Sequence, residues 1–252
     1  MALLALDFDG VICDSAAEIA ASAWRCARQI WPQSFPSNNA PPEAITAFCQ
    51  MRPFLETGYQ SILMLKMLQE KLAFPAFSEH FNEHLERLMQ AIGLGPVELK
   101  RLFGDCRDQW IERDNLSWLQ THRFYPGVIP ALGQALARKQ VAIITTKQQR
   151  FVKLLLAGQN IDFPVEQIWG LEQQKKKEIV LKQLISEGQQ DIIFVEDRLP
   201  TLELVSSLPA LDSVQLLYAT WGYGTSKEHH RCLQSSRIKS LNLPKFISLL
   251  EE

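Results

Sequence analysis

No stretch of this chain approaches the roughly 18 consecutive apolar residues that a membrane-spanning helix requires, so the sequence offers no span through a bilayer. An excess of charge is missing too: 26 Lys and Arg against 28 Asp and Glu leave a formal net charge of −2. That balance recruits neither nucleic acid nor an anionic membrane. A small anionic substrate must therefore be held by a few local cations or a metal, not by a broad basic face. Cysteine is sparse, and the five at positions 13, 26, 49, 106 and 232 form no CxxC pair and no zinc-like Cys/His spacing. They read as small buried side chains in a reducing compartment. The five histidines assemble no site: His80 and His84, one helical turn apart, suit the polar face of a helix, and His229-His230 fall in a polar segment read as loop. No serine has the His/Asp context of a triad. The start, MALLALDFDG, lacks the basic residues and the apolar length of a signal peptide, and a cytoplasmic location is expected. Repeats and low-complexity tracts are also missing.

What is present suits a globular protein. At 252 residues, 46% of them hydrophobic, the chain can bury a sizeable core, as one large domain or as a core with a smaller inserted one. Leu3 to Leu6 form a short apolar run that stops at Asp7-Phe8-Asp9-Gly10, the pattern of a buried parallel strand ending in a loop. Ser15 to Cys26 reads as a helix, with Ser15 as cap and Glu18 three residues on as its capping-box partner. A polar loop follows between Pro32 and Pro42. Residues 43–120 read as helical throughout, most clearly from Tyr59 to Leu72 and from Ser78 to Ile92.

The pattern changes at Phe124-Tyr125-Pro126-Gly127-Val128, where Pro-Gly marks a turn before a short helix from Ile129 to Arg138. Strand then alternates with helix: VAIITT, Gln148–Gln159, Gln167–Trp169, Glu178–Ser186, DIIFVED, Thr201–Leu208 and SVQLLYATWG. This alternation predicts an α/β fold, a parallel sheet with helices on both faces, interrupted by a helical insert.

Three predicted strands end in polar residues: Asp7 and Asp9 after the first, Thr145 and Thr146 at the second, Glu196 and Asp197 at the third. Ligands bind beyond the carboxyl ends of such strands. Residues two apart on extended backbone point the same way, so Asp7 and Asp9 can face one pocket. Carboxylates gathered there repel one another unless a cation sits among them, and hard oxygen ligands suit Mg²⁺.

The segment LALDFDGVICDS resembles the first motif of the haloacid-dehalogenase-like (HAD) hydrolase superfamily, in particular its phosphoglycolate-phosphatase-like branch. IITTK resembles the second motif, the lysine run Lys175-Lys176-Lys177 ahead of Glu178 supplies the third, and FVEDRLPTLE the fourth, with FYPGV and YATWGYG at matching places. The resemblance implies a Rossmann-like core formed by residues 1–14 and 124–252, with an inserted all-helical cap domain over 15–123. It also implies a magnesium-dependent phosphatase acting on a small phosphorylated metabolite. Asp7 would be the nucleophile that forms an aspartyl-phosphate, and Asp9 the acid and base for leaving group and water. Asp7, the Asp9 carbonyl and Asp197 would hold the metal, with Glu196 beside them as ligand or as partner of Arg198. Thr145, or Thr146 in its place, and Lys176, with Lys175 second, would hold the phosphoryl oxygens.

Two features depart from the family pattern. Glu196 and Thr201 stand where many relatives have Gly and Asp, and no proline follows the lysine run. In the insert, Arg52, Glu56 and Tyr59 are candidates for substrate selection, although a Glu/Arg pair and a buried tyrosine account for them equally well. Dehalogenases lack the second aspartate, so Asp9 favours phosphoryl chemistry. A phosphoglucomutase-like transferase and a non-catalytic interaction protein on the same fold are the alternatives. Oligomeric state has no signature in the sequence.

Overall fold

A computed structural model describes residues 2–70 and 80–252. They group into two compact units, one made of the chain up to Asp14 together with Arg123–Glu252, the other of Ser15–His122.

The first unit is built on a six-stranded sheet in the order β5-β4-β1-β6-β7-β8. Its strands are β1 (Leu3–Leu6), β4 (Gln140–Ile144), β5 (Ile168–Trp169), β6 (Ile192–Glu196), β7 (Gln215–Ala219) and β8 (Ile238–Leu241). Every neighbouring pair is parallel. β1 lies between β4 and β6, and all four of its residues are buried. A central parallel strand is covered on both faces, which is why LLAL carries no polar alternation. Helices α6 (Val128–Arg138), α7 (Gln149–Ala157), α8 (Lys177–Ser186), α9 (Leu199–Ser206), α10 (Ser226–Leu233) and α11 (Leu243–Glu251) connect or follow the strands. One core cluster packs Ala5, Ile144, Phe194 and Leu216 of the sheet against Val180, Leu184, Leu202 and Val205 of α8 and α9. Each large side chain buried this way stabilises the fold by about 1.5–3 kcal/mol.

The register sets the site. Leu6 pairs with Ile143 on one side and Val195 on the other, so Asp7 emerges one residue past both pairings. From β1 the chain steps outward to β4 and β5, then returns to β6 and continues outward on the opposite side. That reversal leaves a crevice at the carboxyl ends of β1, β4 and β6. A two-stranded antiparallel ribbon, β2 (Cys13–Asp14) with β3 (Arg123–Phe124), pairs the residues where the chain leaves and re-enters this unit.

The alternating α/β pattern is present, with several differences. β4 and β6 end one to two residues before Thr146 and Asp197, which stand in the loops beyond them. The segment holding His229 and His230 is helical, not loop: Thr225 accepts from the Glu228 backbone N–H while the Glu228 side chain accepts from Thr225, a reciprocal cap that starts α10. β8 and α11 were not anticipated. β8 is a short edge strand with two exposed polar residues, which blunts the apolar alternation that announces a strand.

The second unit contains α1 (Ala16–Ile30), α2 (Pro42–Met51), a 3₁₀ turn (Arg52–Phe54), α3 (Gln60–Gln69), α4 (Phe81–Ile92) and α5 (Pro96–Gln120), and no strand among its described residues. Positions 71, 72, 78 and 79, assigned above to two helices, lie outside the described residues. Its core gathers Ile19, Trp24, Phe35, Phe48, Leu63, Met67, Leu99 and Phe103. The capping box expected at Ser15 does not form. Ser15 occupies the cap position without a side-chain capping bond. Glu18 instead turns inward, accepting from Arg107 Nε and Nη2 at 2.8 and 2.6 Å, from Ser22 Oγ at 2.6 Å and from Trp118 Nε1 at 3.1 Å. α5 breaks at Asp114 (φ −159°, ψ 76°), whose carboxylate accepts from Ser117 N–H and so caps the turn that follows. His80 and His84 lie near the start of α4 beside Glu83 and Arg87. No helix of the described residues is long and apolar enough to cross a membrane.

Candidate active site

Asp7 and Asp9 leave β1 on one side of the loop while Phe8, between them, is fully buried and meets Phe124 edge to face. The loop is pinned by its own backbone: Ile12 N–H and Cys13 N–H both reach Phe8 O, and Gly10 N–H reaches Cys13 O. Gly10 has φ +92°, and a Cβ there would stand 2.0 Å from Asp197 Oδ2. A Cβ on Gly222 would meet Asp197 Cβ at 2.3 Å and Gly10 O at 2.5 Å. Two side-chain-free positions thus let three backbone segments close around the Asp197 carboxylate. Tyr223 completes this wall, donating its N–H to Asp197 Oδ2 at 2.8 Å and its hydroxyl to Asp14 Oδ1 at 2.9 Å.

Asp7, Glu196 and Asp197 are all buried, and each presents an oxygen within 4.8 Å of the other two. Lys177 is the cation among them, its Nζ 3.0 Å from Asp7 Oδ1 and 2.6 Å from Glu196 Oε2. Glu196 Oε1 accepts from the Arg198 N–H at 3.0 Å, so both of its oxygens are engaged, and its link to Arg198 is through backbone. Burial pushes the Asp7 carboxyl up to about 7, against Lys177, with Glu196 and Asp9 adding to the rise. Burial likewise raises Glu196, opposed by Lys177 and reinforced by Asp197. For Lys177 burial works against the charge, but Asp7 and Glu196 outweigh it and hold the ammonium above its ordinary range. Asp7 and Glu196 against one ammonium leave one negative charge in excess when both are ionised, with Asp197 beside them.

A second lysine serves the other aspartate. Lys147 Nζ lies 3.1 and 3.4 Å from the two oxygens of Asp9, with only 3% of the residue exposed. The Lys147 ammonium thus faces Asp9 as Lys177 faces Asp7. Thr145 is buried past the end of β4 and its Oγ1 accepts from Lys147 N–H, while Thr146 is exposed.

The three lysines of the run 175–177 are set apart by their surroundings. Lys175 is exposed and donates to Gln183 Oε1 at 2.5 Å, and Lys176 is exposed at the N-cap of α8. The side chain that reaches the carboxylates is Lys177, the first residue of α8, which begins one position before the expected Glu178. Successive helical positions differ by about 100° in direction, so one residue of start decides which lysine points in. Lys147 was missed as well. It stood in the quoted IITTK, but its contact joins residues 138 apart and no local pattern announces it. Glu196 holds Lys177 through its Oε2. Thr201 lies within the first turn of α9, its N–H on Arg198 O. Arg52, Glu56 and Tyr59 lie in the helical unit: Arg52 Nη1 donates to Leu55 O, Glu56 N–H to Gln60 Oε1, and the Tyr59 ring faces Lys100 Nζ at 5.8 Å.

No protein-family profile matches the chain. No curated protein sequence matches it either. Solved structures do. A haloacid dehalogenase-like family hydrolase from Streptococcus pneumoniae superposes with a TM-score of 0.55 at 15% identity, over 99% of this chain and 97% of that one. A protein described as a predicted phosphatase from Clostridium acetobutylicum gives 0.59 at 15% identity, with 99% and 97% covered. One described as a predicted phosphoglycolate phosphatase from Haemophilus somnus gives 0.59 at 16%, with 99% and 96% covered. The chain has the fold of the haloacid-dehalogenase-like hydrolases, matched end to end.

Proposed function

We propose that the chain is a phosphoric monoester hydrolase in which Asp7 accepts the phosphoryl group. The observation that carries this reading is the pairing of two aspartates, two residues apart, with two different lysines beside a third strand-end carboxylate, Asp197. Such a site holds a charged nucleophile, a separate proton carrier and cationic donors within one crevice. The structural neighbours described as phosphatases support it as analogy of fold.

The residues also fit a divalent cation. The negative excess around Asp7, and the glycine-walled position of Asp197, are what hard oxygen ligation requires. Asp7, the Asp9 carbonyl and Asp197 would hold Mg²⁺, which when bound would offset charge on the phosphoryl oxygens. Glu196 has both oxygens committed to Lys177 and Arg198, and its role is to position Lys177. Lys177 and the Thr145 hydroxyl then hold phosphoryl oxygens while the Asp7 carboxylate attacks phosphorus. Asp9, oriented by Lys147, gives a proton to the departing alkoxide and takes one from the incoming water, work worth about 10²–10⁴-fold. Ser15–His122 is the unit we assign to substrate choice, with Arg52, Glu56 and Tyr59 as its candidate contacts. A small phosphorylated metabolite is the substrate class, and five free thiols suit a reducing compartment such as the cytoplasm.

The test is turnover of aryl and alkyl phosphates with and without Mg²⁺. Wild type turns over both, and exhaustive chelation abolishes the activity. Asp9→Asn loses little on aryl phosphates, whose leaving groups depart unprotonated, and much more on alkyl phosphates. Undiminished turnover after chelation would remove the metal from the reading, and equal losses on both substrate types would remove Asp9 as the proton carrier.

A further inference from the structure

The helical unit carries a chemical feature of its own. Cys26 of α1 and Cys106 of α5, 80 residues apart in sequence, lie on facing turns: the Cys26 thiol reaches the carbonyl of Leu102, one turn before Cys106, and Gln29, one turn after Cys26, donates to the Cys106 sulfur. The surroundings of the two sulfurs differ. Cys26 is fully buried, and its thiol reaches the carbonyl of Leu102 at 3.7 Å. Cys106 lies on the wall of a cleft of about 650 Å³ lined also by Arg25, Arg28, Trp110 and Arg113. Its sulfur accepts a hydrogen bond from Gln29 Nε2 at 3.2 Å. The Arg25 guanidinium is fixed at that cleft, stacked 3.6 Å from the Trp110 ring, and Arg107 is fixed beside it by its bidentate pair with Glu18.

Donors to a sulfur and nearby guanidinium groups stabilise a thiolate, while burial without donors stabilises the thiol. The pair is polarised accordingly. The neighbouring Cys26 thiol holds Cys106 below the ordinary thiol range, helped by Arg25 and Arg107 and opposed by burial and Asp105. Burial above all, then the neighbouring Cys106, raises Cys26 well above that range. One sulfur is thus set up as nucleophile and its neighbour as a protonated thiol in reserve.

We propose that Cys106 and Cys26 form a redox-active pair, oxidised by hydrogen peroxide to a disulfide within the helical unit. The Cys106 thiolate attacks one peroxide oxygen, the O–O bond breaks, and the departing hydroxide takes up a proton as water. Sulfur has then lost two electrons to become a sulfenic acid. The Cys26 sulfur attacks it, the S–S bond forms, the S–O bond breaks, and the hydroxyl leaves with the Cys26 proton as a second water. Peroxide enters by the cleft that Cys106 lines. This inference is independent of the hydrolase reading.

The chain supplies its own controls. Cys49 is half-buried on α2 and is the most exposed of the five, while Cys13 and Cys232 are buried. Native protein is treated with equimolar hydrogen peroxide, quenched, denatured, alkylated and mapped by peptide mass spectrometry. The expected product is a linked pair of Cys26 and Cys106 peptides, two hydrogens lighter than the sum of the reduced ones, with Cys49 still a free thiol. In Cys26→Ala, confirmed folded by circular dichroism, dimedone should trap a sulfenic acid on Cys106, at a rate about tenfold or more above any other cysteine. Oxidation that follows exposure, with Cys49 modified first, would overturn the proposal. So would failure of wild type to form the Cys26–Cys106 link, a result that stands whether or not the variant folds.

Discussion

Two buried charge clusters in this chain make an instructive contrast. In the helical unit Glu18 has one guanidinium in bidentate contact, an indole N–H and a hydroxyl around it, so its charge is matched and its lone pairs are filled. At the strand ends of the other unit, Asp7 and Glu196 share one ammonium, with Asp197 beside them. In the first arrangement the guanidinium meets both oxygens of the carboxylate. The second is short of positive charge at a place where glycines have cleared the backbone around a carboxylate. A buried charge that is satisfied specifies a fold; one left in deficit by its own neighbours marks a site that a ligand completes.

The contrast breaks most sharply under two exchanged substitutions. Asp7→Asn removes the attacking carboxylate and should lower kcat by about 10⁴-fold or more, with the fold retained by circular dichroism. Glu18→Gln strands Arg107 in the core and should cost about 3–5 kcal/mol of stability, read by urea denaturation, with kcat of the folded protein near that of wild type. If Glu18→Gln lost turnover while keeping its stability, the helical cluster would be functional and the distinction would fail.

A smaller effect sharpens the account within the site. Lys177→Ala leaves Asp7 and Glu196 without their ammonium and should reduce kcat/KM by about 10²–10³-fold, whereas Lys175→Ala and Lys176→Ala should stay near wild type. Steady-state kinetics on an aryl phosphate separates the three, and an equal loss in Lys176→Ala would restore the lysine expected from the sequence.

The smallest effect is thermal. Asp7 is raised in the folded protein from 3.8 to about 7. Between those values the metal-free fold binds a proton that the unfolded chain has released, so this group's contribution to stability falls as pH rises through that window. Lys177 is raised above 10.5, so its contribution is fully present below that value and does not vary there. Mg²⁺ binding to the folded state should therefore raise Tm more at pH 8 than at pH 5, where it competes with the proton. A pH-independent Mg²⁺ shift in differential scanning fluorimetry would place the ion elsewhere.

The sequence made the sheet-and-helix alternation legible because buried parallel strands are short apolar runs and the helices between them are amphipathic. It made the strand-end positions of Asp7, Asp9, Thr145 and Asp197 legible for the same reason: each lies within three residues of the end of such a run. The choice among Lys175, Lys176 and Lys177 was not legible, because it depends on a helix start fixed by tertiary packing and helix ends are the least determined part of the pattern. Glu18 was misread in the same way. Its spacing from Ser15 fits a capping box, but its partners Arg107 and Trp118 lie 89 and 100 residues away, where local spacing carries no information. Thr225 and Glu228 show the converse, a capping box whose TSKE signature was readable and was passed over in a polar stretch.

The central claim is that Asp7 carries the phosphoryl group, and it is open to direct trapping. Enzyme turning over an aryl phosphate with Mg²⁺ is acid-quenched, reduced with borohydride and digested, which converts an aspartyl-phosphate to homoserine. The account predicts homoserine at position 7, dependent on substrate and absent from Asp7→Asn. Continued turnover with no modified residue at position 7, or modification at Asp9 in its place, would contradict it.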